Sequence, residues 1–228
     1  MTEWSRLDWA RIDTVLLDMD GTLLDQHFDN YFWSEHLPRR YAEKNNLSLE
    51  ESRRLLDTHL NDRIGSLQWY CLDYWSNLVD MDMAALKHEI SHKIRIRPYT
   101  EEFLQALRQM GKKLVLITNC HRAGLELKMA ITRIDRLLDL VVSSHDYQVP
   151  KEEHEFWLRL QQQEHFHPER TLFIDDTPRV LASARRFGIP WLVCINKPDS
   201  QMPAKKSGRY IDIEHFDEIM PGPVHPAP

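Results

Sequence analysis

Five short apolar runs are spaced along the chain, and helical patterns lie between them. Runs of four to eight residues rich in aliphatic and β-branched side chains are typical of parallel strands buried on both faces. Alternation of such strands with helices predicts a doubly wound, parallel α/β sheet. The predicted strands are Thr14–Leu17, Lys113–Ile117, Leu140–Ser143, Thr171–Ile174 and Trp191–Ile195.

Two helices have clear boundary signals. Thr100 can cap a helix that ends at Gly111, and the apolar residues between them fall on one helical face. Thr177 and Pro178 form an N-cap and first-turn pair, and they open a helix that ends at Gly188.

Residues 26–97 break the alternation, because they carry helix signals and almost no strand pattern. Ser48 and Glu51 form a capping box, and Asp82 can cap a further helix. The pattern predicts a small helical cap, residues 26–97, inserted after the first strand of a Rossmann-like core. That core comprises residues 1–25 and 98–228. The Pro-rich end, residues 221–228, is predicted to be disordered.

Composition excludes several classes of function. With 42% hydrophobic and 28% charged residues, the chain is expected to be a soluble globular protein. A net charge of −6 argues against nucleic acid polymers and anionic membranes as partners. The first residues carry acids and Trp in place of an apolar stretch, so no signal peptide is expected. No apolar run reaches the roughly 20 residues of a membrane span.

The three cysteines are far apart and form no CxxC pair. Their spacing therefore predicts neither a zinc site nor a disulfide framework, and reduced thiols in a cytoplasmic protein are expected. The sequence does not place an activating His for Cys120, which favours a packed or unreactive thiol.

Polar side chains follow four of the predicted strands. The carboxyl ends of parallel strands lie at one edge of a sheet, where ligands bind, and neighbouring strands are only about 5 Å apart. These residues are therefore expected to share one pocket. They are Asp18 and Asp20 after the first strand, Thr118 and Asn119 after the second, Lys151 after the third, and Asp175 and Asp176 after the fourth.

Crowded carboxylates repel each other unless a cation joins them, and Mg²⁺ suits carboxylates, water and phosphate. An aspartate that attacks phosphorus gives an acyl phosphate, and a second carboxyl group can protonate the leaving group. The Asp18-x-Asp20 spacing, followed by the flexible Gly21, allows these two roles. Lys151 and the Thr118 hydroxyl can hold phosphoryl oxygens.

Four segments, in this order, resemble the motifs of the haloacid dehalogenase-like hydrolase superfamily: DMDGTLLD at 18–25, LITN at 116–119, Lys151, and FIDDT at 173–177. The resemblance implies that Asp18 is the nucleophile and Asp20 the general acid/base. It also implies that Mg²⁺ is held by Asp18, the Asp20 main-chain carbonyl and Asp176, with Asp175 acting through water. Phosphate contacts are implied for Thr118, Asn119 and Lys151.

Within the superfamily, an acid at position 20 resembles the pattern of the phosphatases and mutases. The dehalogenase branch lacks this acid. The whole sequence is also similar to purine nucleotidases, which implies GMP and IMP as substrates. The predicted cap is rich in rings, any of which can be core packing or can stack on a purine base. They are Tyr31, Phe32, Trp33, Tyr41, Trp69, Tyr70, Tyr74 and Trp75.

The leading hypothesis is therefore a Mg²⁺-dependent phosphatase of purine nucleoside 5′-monophosphates. One alternative keeps the enzyme class and changes the substrate to a sugar phosphate or phosphoglycolate, or the reaction to a mutase. A second alternative is a non-catalytic, phosphate-binding scaffold. The sequence does not distinguish a monomer from a homodimer.

Overall fold

The computed structural model describes residues 7–60, 63 and 65–222. Six parallel strands form one sheet in the order β3-β2-β1-β4-β5-β6. Residues 223–228, most of the Pro-rich end predicted to be disordered, lie outside the described residues. The strands are β1 (Thr14–Leu17), β2 (Lys113–Thr118), β3 (Leu140–Ser143), β4 (Thr171–Asp175), β5 (Trp191–Ile195) and β6 (Ile211–Ile213).

The predicted α/β fold with a parallel, Rossmann-like sheet is confirmed. The central strand is β1, and its Thr14 pairs with Lys113 of β2 on one side and with Thr171 of β4 on the other. All five predicted strands are present, and β2 and β4 each extend one residue beyond the prediction. The sixth strand, β6, was not predicted, because its three residues include a central Asp and lie at the sheet edge.

Helices separate the strands. Six of them lie between β1 and β2, within residues 26–97, which we call the helical insert. They are α1 (His27–Tyr31), α2 (Leu37–Asn45), α3 (Leu49–Leu60), α4 (Leu67–Tyr70), α5 (Leu72–Val79) and α6 (Met83–Glu89), with a π-helical segment at Phe32–His36. The others are α7 (Thr100–Gln109), α8 (Arg122–Thr132), α9 (Ser144–Tyr147), α10 (His154–Gln163) and α11 (Pro178–Phe187).

Three of the four predicted N-caps are confirmed and one is wrong. Thr177 occupies the N-cap of α11, and Pro178 follows it in the first turn. The Ser48–Glu51 capping box forms in both directions, and Asp82 accepts from the Ala85 N–H at 2.9 Å. Thr100 does not cap α7, because Tyr99 occupies the N-cap position. The Thr100 hydroxyl is buried and donates instead to the Leu23 carbonyl oxygen at 3.4 Å.

The two faces of the sheet carry separate apolar cores, as alternation along β1 requires. Val15 and Leu17 face the core that contains Phe28 and Trp75 of the helical insert, whereas Leu16 faces the core beneath α10 and α11. The helical insert therefore packs on one face and reaches the carboxyl edge from that side. None of the helices in the described ranges combines the length and hydropathy that a bilayer-spanning segment needs.

Candidate active site

Three carboxylates meet at the carboxyl edge of the sheet, where β1 and β4 lie side by side. Oxygen atoms of Asp18, Asp175 and Asp176 lie within 4.8 Å of one another. The main chain fixes this approach, because the Asp18 N–H donates to the Ile174 carbonyl oxygen at 3.0 Å. The structure thus brings together three of the predicted site residues, while their roles stay predictions.

Lys151 lies at the centre of this cluster and its side chain is only 3% exposed. Its Nζ donates to Asp18 Oδ1 at 2.6 Å and to Asp175 Oδ2 at 2.7 Å. Burial alone would lower the pKa of Lys151, but the two carboxylates outweigh it and raise the pKa. Lys151 is therefore a permanent cation that holds both acids in place.

Burial has the opposite effect on the acids. It raises the pKa of Asp18 to about 6 against the opposing attraction of Lys151. Burial and the neighbouring carboxylates raise the pKa of Asp176 well above its ordinary value, and burial raises that of Asp175. When ionised, the three carboxylates carry three negative charges, and Lys151 supplies only one positive charge. The cluster is therefore suited to a further cation, and its oxygen donors fit Mg²⁺ in particular.

Asp20 lines the same cavity, but its carboxylate does not join the acid cluster. It accepts from Lys128 Nζ at 2.6 Å, and its side chain is 19% exposed. Burial raises the pKa of Asp20 to about 6, with Lys128 opposing and Asp29 adding to the effect. The predicted contact of Asp20 with the metal involves its main-chain carbonyl, and that contact stays a prediction.

A buried ion network supports Asp20, and the sequence reasoning missed it. Lys128 also donates to Asp29 at 2.6 Å, and Lys87 donates to the other oxygen of Asp29 at 2.5 Å. Burial would raise the pKa of Asp29, but the two lysines hold it well below its usual range. One signal was present in the sequence, since Lys128 lies on the apolar face of α8 with Gly124 and Leu125.

Thr118 and Asn119 follow β2 and are both buried. The Thr118 hydroxyl accepts from the Cys120 N–H at 3.0 Å. Asn119 Oδ1 accepts from the Lys151 N–H at 3.0 Å, and Asn119 Nδ2 donates to Glu152 at 2.9 Å. The Asn119 side-chain amide has a second N–H, and Asn119 lines the cavity, so its predicted phosphate contact stays a prediction.

Glu152 is a second residue that the sequence reasoning missed. It also accepts from the Tyr70 hydroxyl at 2.9 Å and lies 3.2 Å from Arg179 Nε. Tyr70 belongs to the helical insert, so Glu152 links the insert to the predicted phosphate-contact residue Asn119. Burial raises the pKa of the Cys120 thiol to about 12, which supports the prediction of an unreactive thiol.

A cavity of about 310 Å³ opens above these groups, and the helical insert forms much of its wall. This volume is near the lower end of the range of volumes found for small-molecule binding sites. Most of the predicted cap rings pack in the core, including Phe32 and Trp75, which are fully buried. The insert residues that line the cavity include Gln26, Asn30, Trp33, Trp69 and Tyr70.

Gly21 packs closely against the acid cluster and provides a test of the site's packing. It has a φ of +82°, and a Cβ atom there would lie 2.8 Å from Pro198 Cβ and 2.9 Å from Asp176 Oδ2. A left-handed conformation costs about 1–2 kcal/mol for an L-residue, and overpacking adds about 1–3 kcal/mol. We expect Gly21→Ala to lower the free energy of unfolding by about 2–4 kcal/mol, measured by urea titration.

Gly111 provides the matched control for this variant. It has a φ of +70°, but a Cβ atom would meet nothing within 4 Å. Gly111→Ala should therefore show the backbone cost alone, about 1 kcal/mol. Equal losses in the two variants would contradict the close packing of Gly21 against Asp176.

The fold and the site together place this chain among Rossmann-like α/β proteins that carry a carboxylate cluster at the sheet edge. Residues 15–194 match the family model described as haloacid dehalogenase-like hydrolase, and the chain belongs to this family. The predicted family is thereby confirmed.

Two curated relatives match almost the full chain. The chain is 38% identical over 213 residues to GMP/IMP nucleotidase YrfG of Escherichia coli (strain K12), covering 93% of this chain and 96% of that protein. The protein of the same name from Shigella flexneri matches to the same extent. With the family, these relatives support the predicted enzyme class, a phosphoric monoester hydrolase.

Solved structures share the fold. The HAD phosphatase from Thermococcus onnurineus has a TM-score of 0.75 at 23% identity, covering 91% of this chain and 96% of that chain. The putative beta-phosphoglucomutase from Thermotoga maritima has a TM-score of 0.64 at 18% identity, covering 92% and 97% of the two chains. At these identities the likeness concerns the fold alone.

Proposed function

We propose that this chain is a Mg²⁺-dependent phosphatase that hydrolyses purine nucleoside 5′-monophosphates such as GMP and IMP through a phosphoaspartate at Asp18. The observation that carries the proposal is that Asp18 and Asp20 line one cavity while two different buried lysines hold their carboxylates. Two carboxylates in distinct environments can take distinct roles in catalysis. Residues 26–97 act as the cap over a core of residues 1–25 and 98–228.

Asp18 acts as the nucleophile. Its carboxylate oxygen attacks phosphorus, and the bond between phosphorus and the nucleoside 5′-oxygen breaks. Lys151 fixes the orientation of the carboxylate through Oδ1. Asp20, whose pKa of about 6 lies near neutrality, donates its proton to the departing oxygen.

The second step returns Asp18 to its starting form. Asp20, now ionised, removes a proton from water, and the resulting hydroxide attacks phosphorus. The bond between phosphorus and the Asp18 oxygen breaks, which releases inorganic phosphate. Thr118 and Lys151 hold phosphoryl oxygens through both steps, the positioning on which phosphoryl transfer mainly depends.

Asp18, Asp176 and the Asp20 main-chain carbonyl would hold Mg²⁺, with Asp175 acting through water. When bound, Mg²⁺ supplies positive charge that offsets the acids and the phosphate and stabilises the charge of the transition state. Burial and the neighbouring carboxylates raise the pKa values of Asp18 and Asp176, and a bound cation would stabilise their ionised forms.

The preference for a purine is supported by the relative's substrate and by the cavity wall. Trp33 and Trp69 lie with ring centroids 6.4 Å apart and line the cavity, as does Gln26 with its side-chain amide. Aromatic contacts contribute about 0.5–1.5 kcal/mol each beyond the area they bury.

A cytoplasmic location accords with the cysteines, all three of which are free and lie in the described ranges.

A substrate panel tests the proposal. Purified protein with Mg²⁺ is given GMP, IMP, AMP, CMP, ribose 5-phosphate, phosphoglycolate and p-nitrophenyl phosphate, and released phosphate is measured. We expect kcat/KM for GMP and IMP to exceed that for ribose 5-phosphate roughly tenfold or more, since ring contacts hold the base. Activity should vanish with EDTA and return with Mg²⁺.

Two other outcomes would identify the alternatives. A higher kcat/KM for a sugar phosphate or phosphoglycolate would reject nucleotides as the preferred substrates but would leave the assignment as a phosphatase intact. If no compound released phosphate, including the aryl phosphate, the proposed enzymatic function would be rejected and a phosphate-binding scaffold would be favoured.

A further inference from the structure

One thiol and two imidazoles form a cluster beside the proposed catalytic cavity. Cys71, His121 and His145 each offer one ligand atom, and these atoms lie within 4.8 Å of one another. Cys71 lies between α4 and α5 of the helical insert, His121 follows β2, and His145 lies in α9. The cluster therefore spans the boundary between the helical insert and the sheet. It borders a second cavity beside the one that contains Asp18, and His121 lines both cavities.

Two nitrogen atoms in this cluster lack the partners that buried polar atoms normally have. Nδ1 of His121 and Nε2 of His145 are buried and, among the described residues, form no hydrogen bond. Such an unsatisfied buried group costs about 1–3 kcal/mol. The two rings are close together, with centroids 4.9 Å apart and planes at 85°. Ordinary core packing would leave this cost without compensation, whereas a bound ion would remove it.

The other nitrogen of His121 already has a neighbour of the kind that metal-binding histidines use. His121 Nε2 lies 3.5 Å from the Asp73 carboxylate. Histidine ligands almost always donate their second ring N–H to a carboxylate, a carbonyl or water. This arrangement leaves Nδ1 of His121 as the atom available to an ion.

The surrounding charges also favour a cation. Asp73, Asp146 and Arg122 line the same cavity. Arg122 is already engaged, because its Nε donates to Asp146 at 2.7 Å. The charges of Arg122 and Asp146 therefore roughly cancel. The carboxylate of Asp73 leaves an uncompensated negative charge at the site.

We propose that Cys71, His121 and His145 form a second metal site that binds Zn²⁺ and joins the helical insert to the sheet. A thiolate with two imidazoles suits Zn²⁺, whereas Mg²⁺ prefers oxygen ligands. Zinc lies about 2.3 Å from sulfur and about 2.0–2.1 Å from nitrogen, so tetrahedral ligands are roughly 3.5 Å apart. Small side-chain movements would bring the three atoms to that spacing, and water would fill the fourth position while Asp73 holds His121 from outside.

The first test is direct binding, which does not depend on turnover or on the proposed substrate. With excess Mg²⁺ present, Co²⁺ is added as a spectroscopic probe and Zn²⁺ affinity is measured by competition with a chromogenic chelator. The wild-type protein should give the thiolate-to-cobalt absorption of a tetrahedral site. Cys71→Ser should lose it. Absence of this band from the wild-type protein would overturn the proposal.

Variants locate the ion. Loss of an outer partner typically weakens metal affinity 10- to 100-fold, so Asp73→Asn should weaken Zn²⁺ binding by about tenfold. Cys71→Ser and His145→Ala should weaken it more than that. His154→Ala, which removes an exposed histidine from α10, is the matched control and should bind as the wild type does. Equal affinities across all four variants would place the ion elsewhere and reject the site.

A measurement on the unaltered chain guards against misfolded variants. Zn²⁺ should protect Cys71, which is partly exposed, from alkylation by iodoacetamide, as followed by peptide mass spectrometry. Mg²⁺ at the same concentration should give no protection. Equal alkylation of Cys71 with and without Zn²⁺ would contradict the proposal independently of any substitution.

Discussion

Asp18→Asn is expected to lower turnover of every phosphate ester substrate by roughly four orders of magnitude or more. An amide cannot form the acyl phosphate, and loss of a catalytic nucleophile costs up to about 10⁶ in kcat in well-studied hydrolases. The side chain sits at the buried end of β1 with Lys151 on its Oδ1, so no other described carboxylate has the same placement. Phosphate release with Mg²⁺ and p-nitrophenyl phosphate measures the loss without depending on the base.

Asp57→Asn is the matched control, because Asp57 is exposed on α3 and lies outside the catalytic cavity. It should retain wild-type activity. Acid-quenched wild-type enzyme should also carry a phosphoryl group on the peptide that contains Asp18, and Asp18→Asn should not. Activity of Asp18→Asn within tenfold of wild type would falsify the mechanism.

Lys128→Met is expected to lower both the stability of the fold and the turnover of the enzyme. Removing one partner from a buried ion pair typically costs about 3–5 kcal/mol, because the remaining charge is left unpaired. Here Asp20 loses its lysine, and Asp29 keeps only Lys87. We expect a loss of about 3 kcal/mol in the free energy of unfolding, measured by urea titration with tryptophan fluorescence. Turnover should also fall roughly 10²-fold, since Asp20 loses its positioning and general acid/base catalysis contributes about that much or more.

Lys44→Met removes an exposed lysine and provides the comparison. Lys44 pairs with Asp80, whose side chain is 95% exposed. Exposed pairs contribute only about 0–1 kcal/mol, so the control should lose no more than that. If Lys128→Met were as stable as Lys44→Met, the buried network would have no structural role.

The sheet could be predicted from sequence because each strand carries its own signal. A buried parallel strand is a local apolar run, and β1, β3 and β5 matched their predicted bounds. Strand β6 gave no such signal, since its residues are Ile, Asp and Ile and two of them are only half-buried. The misassigned cap at Thr100 has a related cause. A threonine before an apolar face predicts a cap, but contact with Leu23 across the fold decided the outcome.

The acid cluster was also predictable, because each member ends a strand and the strand ends share one edge. The network around Lys128 was not, since it joins α8 to Asp20 and to α1 through contacts distant in sequence. The same reason hides Cys71, His121 and His145, which lie on three separate segments and match no local metal-binding spacing. Local patterns predict elements and their ends, whereas contacts between elements depend on how the chain packs.

The central position of β1 has a consequence for biosynthesis. Asp18 is synthesised more than 150 residues before Asp175 and Asp176, yet β1 pairs with β4 and the cluster needs all three carboxylates. A nascent chain that has not yet exposed residue 176 therefore cannot assemble the acid cluster, whatever its degree of collapse. Pairings between such distant segments are slow to form. Phosphatase activity should accordingly arise late, as one step, when β4 enters the sheet beside β1.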